Sequence, residues 1–493
     1  MKKILFLLFF AGGLYQVNAA TTINQVRWGS SGDPLNGLTV TWSNTGTADS
    51  IQWGYTTSYE KGKFPAVKRA GYTSGTSFFK YVFPTVTATT TLYYSFYDSK
   101  GKTWNPPATF MTSPPVNTSS FSFCALGDCR DYPSTLTTVS NLVTARKSSL
   151  VLFNGDLTLL GTSASEYNTF FTAASAFLAN NLVYHVMGNH DNSNSSMFSN
   201  LWDLPQTGGT NLYYSFRYGN AIFISLNSND AGNATQLTWL QNTLSAAASD
   251  PSITWKIVSF HHAFFNTGSH TGDMDSYRST WWKAFDDYGV DMVFNGHDHN
   301  YQRTYPINLN AGSVGTPVAK YGSTSTEGRC QVISGGAGAG LYSQNTGSSD
   351  AWSINVFNKT YNYTSVTVTG CKVKIIAYDQ NNVLIDSLTL DKSGTSACVA
   401  TGVQELKQVK SNPISITPNP LEGSFTMHYD SEQTGEATIK IYDVAGKVVI
   451  SEKVIKSTNN LEYHYDLSGH AKGMYSISVI MGNRKESATM ILK

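Results

Sequence analysis

Seven of the ten histidines fall between His185 and His299. Five short polar clusters carry most of them or lie close by: Gly127-Asp128-Cys129-Arg130, Gly155-Asp156, Gly188-Asn189-His190-Asp191, His261-His262 and Gly296-His297-Asp298-His299. Aspartate, asparagine and histidine offer oxygen and imidazole ligands, which suit Zn, Mn or Fe rather than a thiolate-bound ion. No Cys-x-x-Cys pair is present, so a cysteine zinc site is not expected. Six such ligands are too many for one catalytic metal that must keep an open position. They suit two metals sharing a carboxylate. Taken singly, a Gly-Asp is a turn and a lone histidine is a core or surface residue. Their joint occurrence, in order, is not accounted for in that way.

Each cluster directly follows a short apolar run: Phe121 to Leu126, Leu150 to Phe153, Leu182 to Met187, Ile253 to Phe260 and Val290 to Phe294, with a further run at Ala221 to Leu226. Helical spacing lies between some of them. Leu237, Leu240 and Leu244 recur within Gln236 to Ala247, and Trp281, Trp282, Phe285 and Tyr288 within Ser276 to Tyr288. Buried strands alternating with helices predict α/β layering over residues 118–390. Ligands in open α/β sheets bind beyond the carboxyl ends of strands, so the five clusters should converge there. The glycines that precede clusters would let the backbone turn sharply from strand to site.

The flanks read differently. Residues 22–115 carry alternating strands such as Leu38 to Trp42, Ile51 to Trp53 and Leu92 to Tyr97, and predict a small β-sandwich ending in a Thr112 to Pro115 connection. Residues 391–413 read as a linker. Residues 414–493 return to strands, with a hairpin at Ala445-Gly446, and predict a second small β-sandwich. The fold class is therefore multidomain: a β-sandwich, a central layered α/β domain and a small β-sandwich.

The balance of 34 Lys+Arg against 33 Asp+Glu gives a formal charge of +1, which argues against a nucleic-acid surface or an anionic membrane. Charged residues make up 14%, against roughly 25% in an average globular protein, and there are 28 tyrosines. That profile fits an exported, strand-rich protein. Lys2 and Lys3, the apolar stretch Ile4 to Leu14 and the small residues ending at Ala19 or Ala20 predict a signal peptide over residues 1–19. No other apolar stretch is long enough for a transmembrane helix. Five cysteines leave at least one free, and Cys330 and Cys371, each beside a strand-like run, could pair.

The ordered motifs resemble those of the calcineurin-like metallophosphoesterases, closest to the purple acid phosphatase branch. That branch shows Asp, Gly-Asp, Gly-Asn-His-Asp/Glu, Val-x-x-His and Gly-His-x-His, matched here by Asp128, Gly155-Asp156, Gly188 to Asp191, Val258 to His261 and Gly296 to His299. Asn300 to Pro306 and Ser334 to Gly338 are also similar, and residues 22–115 resemble its fibronectin type III-like domain. The resemblance covers roughly residues 22–390. It implies phosphate-ester hydrolysis by metal-bound hydroxide at a dinuclear centre. Asp156 would bridge the metals, Asp128 and His299 would hold the first, and Asn189, His261 and His297 the second. His190 would contact phosphate, and His270, nine residues after His261, would protonate the leaving group. Arg130 could bind phosphate bidentately or form a surface salt bridge. His262 could face away from the site and is assigned no role.

Two positions depart from this pattern. The branch has a metal-binding tyrosine where Leu159 stands, and the broader superfamily has Asp-x-His where Arg130 stands. The first metal thus lacks a protein ligand by either template, and divalent Zn, Mn or Fe is the expected occupant, without violet colour. Tyr132 and Tyr184 are candidates to replace the missing tyrosine. The C-terminal region resembles the type A sorting domain of the type IX secretion system, through Pro418 to Phe425, Ile441 to Lys447 and Lys472 to Tyr475. It implies passage through the periplasm, recognition by secretion machinery, and an extracellular or cell-surface location. The expectation is an exported phosphomonoesterase. Its rivals are a phosphodiesterase or nucleotidase on the same centre, and a surface binding protein with a degenerate site.

Overall fold

The short apolar runs of the central region form strands that are buried along their whole length, as in Leu150–Phe153, Leu182–His185 and Met292–Asn295. Continuous burial is what a strand covered on both faces requires. The computed structural model describes residues 23–493 except 45–48, 70, 73–76, 99–100, 313–314, 395–397, 399–413, 432, 445 and 483. The expected signal peptide and most of the 391–413 linker lie outside the described residues.

Two sheets form the central layers. In the first, Ser120–Leu126, Leu150–Phe153 and Leu182–His185 run parallel, with Leu126 level with Phe153 and Phe153 level with His185. In the second, Ala221–Ser225, Trp255–Ser259, Met292–Asn295 and Cys330–Ser334 run parallel. Phe123 of the first sheet meets Phe223 and Phe294 of the second at 5.3 and 5.6 Å between ring centroids, so the sheets pack face to face. Helices cover the other faces: Pro133–Ala145 turns Leu136, Val139 and Val143 inward, and Ala234–Ser249 buries Leu240 and Leu244. The expected helix at Ser276 to Tyr288 begins as a 3-10 turn and a π-helical turn, and only Lys283–Tyr288 is α-helical.

The amino-terminal strands stack as two sheets through Trp28 on Phe110 (3.9 Å) and Trp42 on Phe96 (4.2 Å). One of these sheets does not stop there. Asn24–Ser30 pairs in parallel with Leu182–His185 at Trp28 and Leu182, so ten strands form one continuous sheet that includes the three parallel strands of the first central layer. Asp203 fastens the same junction, taking an ion pair from Arg69 at 2.9 Å and a hydrogen bond from Thr41 at 2.9 Å.

The chain divides into two compact units at residue 400. The second unit packs a three-stranded and a four-stranded sheet around Phe425, Met427, Ile439, Ile441, Ile477 and Met490. The Cys330–Cys371 pairing that the sequence allows is not formed. Cys371 is bonded to Cys398, with Cα atoms 5.8 Å apart, and Cys330 is a buried free thiol. The reason is topological: Cys330 lies inside the second sheet opposite Met292, whereas Cys371 sits at the turn between Asn362–Thr369 and Lys372–Asp379 in the first.

Candidate metal centre

All five polar clusters stand at the carboxyl ends of the parallel strands, three on the first sheet and two on the second. The chain leaves those strands through unusual backbone. Asp128, Asp156 and His297 have φ of 61°, 56° and 71°, a left-handed conformation that non-glycine residues seldom adopt. Such strain concentrates at functional sites, where the surroundings enforce it. The turns are thus made largely by the site residues themselves. Gly188 provides room instead: a Cβ there would lie 2.1 Å from Asp156 Oδ1.

One group of potential ligands comprises Asp128, Asp156 and His299, whose ligand atoms lie within 4.8 Å of one another. His299 Nδ1 donates to the Gly340 carbonyl at 2.7 Å, which leaves the Nε2 lone pair facing the carboxylates, 3.7 Å from Asp128 Oδ1. The Arg130 guanidinium enters this group. Its Nη1 donates to Asp156 Oδ2 at 2.9 Å and to His299 Nε2 at 3.0 Å.

The other group comprises His261, His262 and His297. His261 Nδ1 donates to the Asn154 carbonyl at 2.7 Å and His297 Nε2 donates to Asp273 at 3.1 Å. These bonds fix both tautomers, as backbone carbonyls and carboxylates do for metal-binding histidines. The remaining lone pairs, His261 Nε2 and His297 Nδ1, face each other at 3.2 Å. Asn189 Oδ1 is 2.9 Å from the same His261 nitrogen, and Asp156 Oδ1 is 3.5 Å from it. Acceptors aimed at one another need a cation between them. Both donor sets therefore fit a divalent metal, with Asp156 placed to serve either.

Electrostatics point the same way. Burial, with His261 beside it, pushes His262 down to about 3, and burial likewise pushes His261 to about 3. Burial and Arg130 lower His299 to about 4. These imidazoles are neutral at physiological pH, the form that binds metals. Burial and then the Asp156 charge raise Asp128 well above the usual carboxylate range, a cost that a nearby cation relieves.

The remaining expected residues lie at the edge of the centre. The backbone N–H of His190 donates to Asp156 Oδ1 at 3.1 Å, its Nδ1 donates to the Leu159 carbonyl at 2.8 Å, and its Nε2 lies 3.9 Å from Asp156 Oδ2. His270 stacks on His297 at 3.7 Å and its Nδ1 is 3.4 Å from Asp298. The Leu159 side chain is exposed and offers no donor atom. Neither alternative tyrosine lies against a ligand: Tyr184 is buried on Phe216 at 3.6 Å and Tyr132 meets Tyr361 at 6.2 Å.

Sequence reasoning missed several contributors. His262 does not face away; its ring is 4.3 Å from that of His297, a position that the adjacent His261 could have signalled. Asp191 accepts the backbone N–H groups of Asp156, Leu157 and Gly188 at 2.9–3.1 Å and so clamps two cluster loops together. Tyr342 stacks on His299 at 4.1 Å with no sequence signal at all. His185, by contrast, is a core residue packed on Trp202 at 3.7 Å.

Residues 121–301 match the family model of calcineurin-like phosphoesterases, and residues 415–493 match that of the secretion system C-terminal sorting domain. An uncharacterized protein of Mycobacterium tuberculosis is 30% identical over 183 residues, 31% of this chain and 34% of that one. Purple acid phosphatase 22 of Arabidopsis thaliana is 26% identical over 227 residues, 43% of this chain and 50% of that one. The chain thus spans between about a third and a half of the length of these relatives. A purple acid phosphatase from yellow lupin (Lupinus luteus) seeds shares the fold with a TM-score of 0.62 at 17% identity, over 76% of each chain. PhoD shares it at 0.54 and 14% identity, over 76% of this chain and 94% of that one. Among the described residues no helix is long and apolar enough to cross a membrane. The chain carries a calcineurin-like metallophosphoesterase domain followed by a secretion sorting domain.

Proposed function

We propose that this is an exported phosphoester hydrolase of the purple acid phosphatase type, acting on monoesters at a two-metal centre. The observation that carries the reading is the convergence of His261 Nε2, His297 Nδ1 and Asn189 Oδ1 on one point, beside a second group of Asp128, Asp156 and His299. Asp128, Asp156 and His299 would hold the first metal and Asn189, His261 and His297 the second. Bound there, two cations supply Lewis-acid charge and a nucleophile at neutral pH. The protein's own groups do the rest. His190, oriented by the Leu159 carbonyl, presents Nε2 to a phosphate oxygen. His270, held by Asp298, gives a proton to the leaving oxygen. The residue 22–115 region would be its fibronectin type III-like domain, and residues 414–493 would direct passage from the periplasm to the outside.

A degenerate binding protein is the second reading, favoured by the Arg130 guanidinium on Asp156 and His299 and by the missing tyrosine at Leu159. One experiment separates the readings. Purified protein is analysed for bound metal and visible absorption, then assayed on p-nitrophenyl phosphate and bis-p-nitrophenyl phosphate. We expect divalent metal, no violet band, and faster turnover of the monoester, abolished by a chelator. Faster turnover of the diester would make it a diesterase. Metal-replete protein that turns over neither ester would leave the binding protein.

A further inference from the structure

We propose that Arg130 is a displaceable internal occupant of the first metal position, so that the centre has a one-metal state with Arg130 seated and a two-metal state with Arg130 expelled. The inference rests on the two-metal reading above and adds an order of loading to it.

The argument begins with one lone pair. His299 spends its Nδ1–H on the Gly340 carbonyl, so Nε2 is its single remaining acceptor. That lone pair already takes a hydrogen from Arg130 Nη1 at 3.0 Å. A neutral imidazole nitrogen has one lone pair in the ring plane, and it serves either a proton donor or a metal, never both. The same Nη1 occupies Asp156 Oδ2 at 2.9 Å. Metal and guanidinium therefore compete for His299 Nε2, and a cation in the first position cannot take that ligand until Arg130 leaves.

Charge explains why the arginine is held there. Asp128 and Asp156 are both fully buried and crowd each other, and an unneutralised carboxylate pair is costly in such a place. The guanidinium supplies positive charge while no metal does. Burial acts against the charged arginine, but Asp156 and Asp128 more than offset it and raise its pKa. The seat is nonetheless incomplete. Arg130 Nε is buried without a hydrogen-bond acceptor, and its nearest carboxylate, Asp131, is 3.9 Å away. An arginine with an unspent donor, on a long flexible stem, is suited to swing out and take phosphate oxygens once a metal has replaced it.

The second group contains no comparable competitor. Its lone pairs face one another, and its hydrogen-bond partners sit on the far nitrogens of His261 and His297. The second position should accordingly load first.

The test is metal stoichiometry. Full-length metal-free protein is dialysed against Zn²⁺ buffered at a series of free concentrations, and bound zinc is counted by elemental analysis. Arg130→Met keeps an unbranched apolar stem and removes the guanidinium and its charge. If Arg130 is seated in about nine of ten metal-free molecules, the apparent affinity of the first position falls about tenfold. Wild type should then fill in two separated steps, and Arg130→Met should fill its second equivalent at about tenfold lower free Zn²⁺. Arg130→Gln, which also drops the charge, stands in if circular dichroism shows that Arg130→Met is unfolded. Coincident two-equivalent curves for wild type and variant would overturn the competition while leaving the two-metal centre intact. A variant that never exceeds one equivalent would overturn the two-metal reading itself, and the inference with it.

Discussion

The two halves of the metal centre attract cations by different means. The second donor set, Asn189, His261 and His297, consists of neutral donors and touches carboxylates through the shared Asp156 and, on the far nitrogen of His297, through Asp273. The first is built from two buried carboxylates and one imidazole, with a guanidinium among them. Burial holds His261 and His262 near 3, so protons do not compete for the second group at physiological pH. Burial and mutual repulsion instead raise the Asp128 carboxyl, so the first group gains most from a positive neighbour. The difference teaches that a geometrically complete ligand set is not the same as an available one. Lone pairs with nothing opposite them wait for a metal, whereas lone pairs already hydrogen-bonded to a cation must be released.

The largest expected effect comes from damaging the free half. Asn189→Ala or His297→Ala should keep the fold, remove the second metal and lower kcat by on the order of a hundredfold or more. Loss of mere hydrogen-bond partners to metal ligands already costs roughly 10–100-fold in such centres. His299→Ala should cost less metal at low free Zn²⁺, because its position is the later one to fill. Elemental analysis and steady-state kinetics on the three variants check this. Near-normal turnover by metal-replete Asn189→Ala would remove the two-metal mechanism.

The donor residues of both halves were legible in sequence as clusters at strand ends. Asp128, Asp156, Asn189, His261, His297 and His299 follow largely buried strands, and their order along the chain placed them at one end of the sheets. Local pattern carries that much because a doubly buried strand is apolar throughout and its end is abrupt. What decides availability did not show. Arg130 reads as a phosphate ligand or a surface arginine until His299 is seen at 3.0 Å, a contact across 169 residues. His262 follows a ligand, but its direction depends on Ser228, whose Oγ lies 2.8 Å from its Nδ1. The disulfide partner of Cys371 depended on which sheet Cys330 joins. The reading of residues 22–115 as a small sandwich did not show that Asn24–Ser30 pairs with Leu182–His185. All of these are long-range contacts, for which residue type and spacing carry no information.

An intermediate effect is expected at His270, which leans on the free half by stacking on His297. Burial alone would lower its pKa, but the Asp298 carboxylate, with Asp273 beyond it, more than offsets burial and raises it above the usual histidine value. The sign follows. The protonated acid is present below that raised pKa and is lost as pH rises through it, so kcat/KM should fall on the alkaline side. His270→Asn should lower kcat about a hundredfold for esters with poor leaving groups, in keeping with general acid catalysis. It should also flatten the alkaline limb and matter less for p-nitrophenyl phosphate, whose leaving group needs little protonation. An unchanged limb in His270→Asn would assign the titration to another group.

The smallest expected effect comes from removing the C-terminal unit. It holds the other three histidines, yet His428 and His464 face Glu462 at 3.2 and 3.6 Å on exposed strands. Among the described residues, both groups able to hold a metal lie in the central layers. The unit also has a core of its own around Phe425, Ile439, Ile477 and Met490. Deleting residues 414–493 should therefore leave metal content and kcat/KM of the purified protein unchanged while the protein accumulates in the periplasm. Cell fractionation and elemental analysis of the truncated chain check both halves of this expectation. A truncated protein that is folded by circular dichroism but has lost one metal would mean that the comparison has a third party, with the C-terminal unit supplying what the first group lacks.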